Sequence, residues 1–383
     1  MEISVTQAVK DRYGAGAQER EAALCCPVDY DPEYLKVIPE EVIERDYGCG
    51  DPSSYVRPGE TVLDLGSGGG KICFIASQVV GAEGRVIGVD MTDEMLDLAN
   101  RNAPVVAERI GYSNIEFRRG RIQDLKTDLD RVNAYLSENP VRSVQDYQKL
   151  EQEITRLGKE SPMIADDSID VIVSNCVLNL VSDEEKLQLF EEMYRVLKPG
   201  GRIAISDIVS DEVSPPHLKN DQELWSGCVS GAFQEYEFIQ LLEDVGFYGI
   251  TIDKLDKEPW QVVEGIEYRS MNVLAWKGKE GPCIDKNQAV IYKGPWQSVE
   301  DDDGQVYLRG QRMAVCEKTF EILSKEPYAA SIEPAPPHVA VEQGEERDCT
   351  RPSIRDPRET KAGAERVTTG ADACCGGPES SCC

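Results

Sequence analysis

Histidine is almost missing from this chain: only His217 and His338 occur in 383 residues. Imidazole-based catalysis and zinc sites of mixed cysteine–histidine type are therefore not expected. Long apolar runs are missing as well. No stretch reaches the roughly 18 apolar residues that a membrane-spanning helix needs. Met1 to Gly14 lacks the basic-then-apolar pattern of a secretory leader. Cations are in short supply, with 41 Lys and Arg against 70 Asp and Glu and a net charge of −29. Nucleic acids and anionic membranes need a cationic surface, so neither is expected as a partner. The expectation is a soluble cytoplasmic protein whose acidity is mostly solvated surface.

What is present in excess is cysteine, with 13 residues. A cytoplasmic chain of this size does not need disulfides, so the thiols ask for another explanation. The other conspicuous stretch is Val62-Leu63-Asp64-Leu65-Gly66-Ser67-Gly68-Gly69-Gly70-Lys71. An apolar run enters a glycine turn, and a helical segment, Ile72 to Val80, leaves it. That is the strand, turn and helix of a nucleotide-binding unit, with glycines letting backbone approach a ligand.

Around this turn the pattern is α/β. Strands are expected at Thr61–Leu65, Arg85–Asp90, Ile115–Arg119, Ile169–Ser174 and Arg202–Asp207, and helices at Asp93–Ile110, Asp183–Leu197 and Tyr236–Val245. Their alternation implies a mostly parallel, doubly wound, Rossmann-like sheet. The expected organisation is an N-terminal segment at 1–60, an α/β domain at 61–254 with an insertion at about 126–162, a small β-rich domain at 255–328 and a disordered tail at 329–383. The tail is poor in large apolar residues and ends in Cys374-Cys375 and Cys382-Cys383, a candidate means of capturing metal or metalloid ions. Pro259-Trp260-Gln261 and Pro295-Trp296-Gln297, each followed by Val-Glu after one residue, hint at a repeated hairpin.

Four features form a cofactor constellation. Asp64, Gly66, Ser67 and Gly68 make the first turn, and Asp90, followed by Met91, ends the second strand where an acid can accept both ribose hydroxyls. Ile122, in Gly120-Arg121-Ile122-Gln123-Asp124, stands where an adenine would lie, and Leu197-Lys198-Pro199-Gly200-Gly201 precedes the fifth strand. Together these resemble the class I S-adenosylmethionine-dependent methyltransferases, a resemblance that implies S-adenosylmethionine as cofactor. Asn175, at the end of the fourth strand, joins the candidate cofactor contacts.

Three cysteines stand in suggestive places. Cys176 follows the fourth strand in Ser174-Asn175-Cys176-Val177, Cys228 lies in Leu224-Trp225-Ser226-Gly227-Cys228, and Cys49 lies in Tyr47-Gly48-Cys49-Gly50. The glycines beside Cys49 suggest exposed backbone. Cys73 is expected to pack under the glycine turn, and Cys283 and Cys316 have no motif around them and are expected to be structural. Taken in order, Tyr-Gly-Cys-Gly, Leu-Asp-Leu-Gly-Ser-Gly, Ser-Asn-Cys-Val-x-Asn-Leu-Val and Leu-Trp-x-x-Cys-x-x-Gly-Ala resemble the arsenite S-adenosylmethionine methyltransferases. The likeness covers roughly residues 20 to 250.

That resemblance implies that Cys49, Cys176 and Cys228 hold trivalent arsenic. It also implies that a fourth cysteine, Cys25 or Cys26, takes part in thiol exchange, with a disulfide such as Cys26–Cys49 reset by thioredoxin or small thiols. The chemistry suits the residues. Trivalent arsenic is a soft centre that thiolates select, and a polar loop is expected to lower the thiol pKa. Its lone pair can attack a sulfonium methyl group without a general base, so scarce histidine is no obstacle. Two other readings remain at this point: methylation of a small organic molecule with the cysteines idle, and a non-catalytic thiol-based metalloid binder or sensor.

Overall fold

Three helices, α1 (Val5–Gly16), α2 (Pro32–Leu35) and α3 (Glu40–Glu44), lead into the first strand, β1 (Thr61–Leu65). The computed structural model describes residues 5–19, 21, 28, 30–349 and 351–365. After β1 come α4 (Lys71–Val80), β2 (Arg85–Asp90), α5 (Asp93–Ile110), β3 (Ile115–Arg119), α6 (Leu129–Glu138), α7 (Val144–Glu160) and β4 (Ile169–Asn175). Then follow α8 (Lys186–Val196), β5 (Leu197–Ser210), α9 (Pro216–Lys219), α10 (Gln222–Ser226), β6 (Phe233–Gln234), α11 (Glu235–Val245), β7 (Tyr248–Leu255), β8 (Gln261–Val263) and β9 (Ile266–Trp276).

Side chains alternate between two cores because successive strand residues point to opposite faces. Leu63 and Leu65 of β1, Ile87 and Val89 of β2 and Ile172 of β4 pack with Leu189 and Phe190 of α8 and with Phe238 and Leu242 of α11. On the other face, Val62, Val86, Val171 and Val173 pack with Ile72, Cys73, Ala76 and Val80 of α4. A sheet covered on both faces explains why β1 and β4 read as nearly continuous apolar runs. The strand order is β3-β2-β1-β4-β5-β9-β7, with β6 beside β5 and β8 beside β9. The chain moves outward from β1 in both directions, so the switch point lies between β1 and β4, where a doubly wound sheet opens its ligand crevice.

Two compact units divide at Gly278 and Lys279 rather than near residue 254. The reason is β9. It runs antiparallel between β5 and β7, from Arg202↔Trp276 to Ser210↔Tyr268, so the segment expected to begin a separate β domain completes the first sheet. The insertion at 126–162 forms α6 and α7, neither of which enters the sheet, and α7 buries no residue.

The second unit contains β10 (Ile284–Asp285), β11 (Ala289–Tyr292), β12 (Ser298–Glu300), β13 (Val306–Leu308), β14 (Arg312–Ala314), α12 (Glu317–Leu323), β15 (Ile332–Ala335), β16 (Glu345–Glu346) and α13 (Pro357–Thr360). Its core gathers Val290, Tyr292, Tyr307, Met313, Val315, Leu323 and Ile332. Within the stretch from 329 onward, expected to be disordered, β15 pairs with β11 and β16 with β10. Arg355 is buried and binds both carboxylate oxygens of Asp285, at 2.5 and 2.6 Å. Backbone pairing and a buried ion pair thus replace the apolar content that the composition lacks. The Cys374–Cys375 and Cys382–Cys383 pairs lie outside the described residues. The two halves of the Pro-Trp-Gln echo lead into different hairpins, β8 with β9 and β12 with β13. Among the described residues, no helix is long and apolar enough to cross a membrane.

Candidate active site

The glycine turn leaves β1 and wraps Asp90. Gly66 and Ser67 donate their backbone N–H groups to Val89 O, at 2.8 and 3.0 Å. Gly68 N donates to Asp90 Oδ2 at 2.9 Å, and Thr92 N donates to Asp90 Oδ1 at 2.8 Å. Gly68 needs φ = 50°, a left-handed conformation that glycine adopts at little cost. A side chain added there would face nearly open space, with only Met95 Sδ near it, at 3.9 Å. Asp64 is buried beneath the turn and accepts a hydrogen bond from Cys73 Sγ at 3.2 Å, so Cys73 does pack under it.

Asp64, Gly66, Ser67, Gly68, Asp90, Met91, Ile122 and Asn175 all line one cavity, which encloses about 1010 Å³ of empty space including its open mouth. Cys176 lines the same cavity, at the end beyond β4. Ser67 Oγ is buried there without a hydrogen-bond partner. A buried orphan hydroxyl on a cavity wall is a group waiting for a ligand.

Burial drives the Asp64 carboxyl up from its ordinary 3.8 to about 7. The folded state therefore binds a proton that the unfolded chain releases. This stabilisation is complete below pH 3.8 and is lost as pH rises to about 7. In cofactor-free protein, Asp64→Asn is expected to flatten the fall in stability between those values by up to one proton's worth of slope, about 1.4 kcal/mol per pH unit. Chemical denaturation at half-unit pH steps checks this, and an unaltered slope would refute it.

The thiols meet where three loops converge. Cys176 N donates to Ser206 O at 2.8 Å as the chain leaves β4. Asp207, buried within β5, accepts from Leu178 N and Asn179 Nδ2, both at 2.9 Å. Asn179 Nδ2 also donates to Ile208 O at 2.7 Å. Cys228 Sγ donates to Cys176 O at 3.1 Å, and Tyr13 OH lies 3.6 Å from Cys228 Sγ. Arg12 ties α1 over this loop through Glu223 O at 2.9 Å and Ser226 Oγ at 3.0 Å. Cys176 and Cys228 share an unusual backbone, with φ = 61° and 62°. Left-handed geometry at a residue bearing a Cβ carries strain of about 1–3 kcal/mol and clusters at functional sites.

Cys49 is only 5% exposed, against the sequence expectation of an exposed loop. Asn175 is the cause. Its Oδ1 accepts from Cys49 N at 2.9 Å and Gly50 N at 3.1 Å, and its Nδ2 donates to Gly50 O at 2.7 Å. A Cβ on Gly48 would fall 2.1 Å from Asn175 Nδ2, so that glycine is there for close approach. Asn175 lines the cavity, but these amide contacts strap the Cys49 loop to β4. Ser270 Oγ of β9 donates to Cys49 O at 3.0 Å and holds the loop from the other side.

Cys49, Cys176 and Cys228 pack in one cluster. The Cys176 thiol is pushed well up by hydrogen bonds with Cys228 and then Cys49, with burial adding to both. Burial pushes the Cys49 thiol up too. The lowered pKa expected from a polar loop is therefore not found, because the loop is buried. None of the seven described cysteines forms a disulfide. Cys25 and Cys26 lie outside the described residues. Tyr13, Asp207, Asn179 and Ser270 were not singled out from sequence. Of these only Asn179 carried a signal, as the second asparagine of the Ser-Asn-Cys-Val-x-Asn motif.

Residues 57–165 and 159–246 match a family model described as a methyltransferase domain, and residues 279–365 match one described as a domain of unknown function (DUF8838). Fold, glycine turn and cavity define a class I S-adenosylmethionine-dependent methyltransferase. Its cofactor fits what the cavity offers: an orphan hydroxyl at Ser67, bare backbone at Gly68 and a half-buried carboxylate at Asp90. The arsenite methyltransferases of Aquipseudomonas alcaligenes (32% identical, covering 84% of this chain and 88% of that protein) and of Homo sapiens (31%, covering 78% and 72%) are similar along most of the chain. So is the crystal structure of an arsenic(III) S-adenosylmethionine methyltransferase from Chlamydomonas reinhardtii, at 26% identity and TM-score 0.56, covering 86% of this chain and 100% of that one. The chain belongs to the arsenite methyltransferase family.

Proposed function

We propose that this protein methylates trivalent arsenic, as arsenite and then methylarsenite, bound by Cys49, Cys176 and Cys228 beside the cofactor cavity. One observation carries the reading: Cys176 lines that cavity and packs in one cluster with Cys49 and Cys228. When bound, S-adenosylmethionine supplies an electrophilic methyl carbon. Asp90 and the Gly66–Gly68 turn would hold its ribose and amino-acid ends, and Ile122 and Gln123 line the wall suited to the adenine.

Raised thiol pKa values do not oppose this chemistry. Arsenous acid exchanges each As–O bond for an As–S bond, and the thiol proton departs on the hydroxyl as water. No thiolate has to form beforehand. Three sulfurs leave the arsenic lone pair as the remaining vertex, and that pair is the nucleophile. The chain's own contribution is then positioning, since a 1 Å displacement costs about a hundredfold in such reactions. Asn175, Asp207, Asn179 and Ser270 supply the positioning by fixing the cysteine loops. Tyr13 and α1 cover the thiols and limit water.

After methylation, two thiols return two electrons to the arsenic and become a disulfide. Cys26, small thiols or thioredoxin fill this role in our reading. Thiol capture needs reduced cysteines, which suits the cytoplasm. Purified protein incubated with arsenite, methyl-labelled cofactor and a thiol is expected to yield labelled methylarsenicals. Arsenite binding without turnover would instead favour a sensor, and neither binding nor turnover would favour an organic substrate.

A further inference from the structure

Cys283, Cys316 and Cys349 place their three sulfur atoms within 4.8 Å of one another in the second unit. They come from three separate segments, which is why no motif marks them in the sequence and why Cys283 and Cys316 read as merely structural. Cys283 enters β10 and Cys349 leaves the neighbourhood of β16. The antiparallel pairing Ile284↔Glu346 and Asp285↔Glu345 brings them together. Arg347 N donates to Cys283 O at 2.8 Å and locks this register. Cys316 caps α12, and its Sγ accepts from Thr319 N at 3.5 Å and lies 3.2 Å from Thr319 Oγ1. Lys286, just after β10, pairs with Glu317 at 2.7 Å and draws the start of α12 to the same place.

We propose that these three cysteines form a second thiolate site, which binds trivalent arsenic as a three-sulfur complex. All three are free thiols. No histidine or carboxylate joins them among the described residues. Zinc in a structural site asks for four protein ligands, and here there are three. A soft centre that needs three sulfurs and keeps a lone pair matches the set. Binding is an exchange: three As–O bonds become As–S bonds, three thiol protons leave with the hydroxyls as three waters, and arsenic remains trivalent. No oxidant or reductant is consumed. The choice of arsenic rests on the proposed substrate, whereas the clustering of the thiols does not.

Two experiments on the full chain test the site. In the natural sequence, reduced and treated with stoichiometric arsenite, the three cysteines are expected to be protected from alkylation together, with one shared concentration dependence, as read by peptide mass spectrometry. Protection of none, or of only two, would overturn the proposal. In the second, the cysteines at 25, 26, 49, 176, 228, 374, 375, 382 and 383 are changed to serine, leaving Cys73 and the cluster. One arsenic per chain with three sulfur neighbours is expected by X-ray absorption, and Cys316→Ser on that background should lower affinity at least tenfold. Zinc held by the three thiols and not displaced by arsenite would also overturn it. Methyl transfer is measured on the natural chain in parallel. Joint protection without turnover would sink the proposed activity and leave this site standing, while turnover without protection would do the reverse.

Discussion

Cys176→Ser is expected to reduce arsenic methylation by at least a factor of about 100 while leaving cofactor binding within a few-fold. Of the three cysteines, which pack in one cluster, Cys176 is the one that lines the cofactor cavity. Serine preserves size and shape but offers a hard oxygen to a soft centre. The arsenic would then be held by two sulfurs and free to swing, so the lone pair loses its aim. Near-normal methylation in this variant would refute the three-thiolate reading. Cys176→Gly sharpens the test. Its φ of 61° is one that glycine adopts freely. The glycine variant should be as inactive as the serine variant but more stable than it by about 1 kcal/mol, because it releases the left-handed strain. Denaturant midpoints for the two variants decide this. Lower stability in the glycine variant would mean that the backbone there is not strained.

Asp90→Ala is expected to weaken cofactor binding about a hundredfold, with arsenite binding to the thiols unchanged. In the proposed reading the carboxylate has two duties. It accepts Gly68 N at 2.9 Å and Thr92 N at 2.8 Å, which shapes the glycine turn. It also stands where a ribose would present both hydroxyls. A hydrogen bond to a charged group is worth about 1.5–3 kcal/mol, so losing both duties gives a hundredfold effect without invoking unfolding. Titration calorimetry with the cofactor measures the first part. Arsenite binding can be followed by tryptophan emission, because Trp225 is buried three residues before Cys228. If both affinities fell together, the cavity and the thiol cluster would be one inseparable unit rather than two adjoining sites.

Much of the site could be read from local patterns. Strands β1 and β2 lie where apolar runs put them, because a strand buried on both faces admits few polar residues, and β3 and helix α5 also lie where the sequence pattern places them. The cavity-lining residues Gly66, Ser67, Gly68 and Asp90 follow from the same logic, since a turn at the end of a buried strand has one place to go. Cys49 was misread because its neighbours, both glycines, look like a solvent loop. They are small so that Asn175 and Ser206 can reach the backbone, a reason that appears only when distant segments meet. Tyr13 carried no signal at all, since α1 reaches Cys228 only after Arg12 docks on α10.

The sequence by itself determined the chemistry available: abundant thiol, almost no imidazole, a glycine turn for a ligand and an acid to receive a ribose. Residue type is local information, and so is the alternation that makes a sheet. The tertiary structure decided which thiols stand together. It packed Cys176 with Cys49 and Cys228, held two of them in left-handed backbone, and carried β9 back into the first sheet so that Ser270 could fix the Cys49 loop. It also gathered Cys283, Cys316 and Cys349 from three segments. Those groupings depend on contacts between residues far apart in the chain, and such contacts leave no periodic trace for a local reading to find.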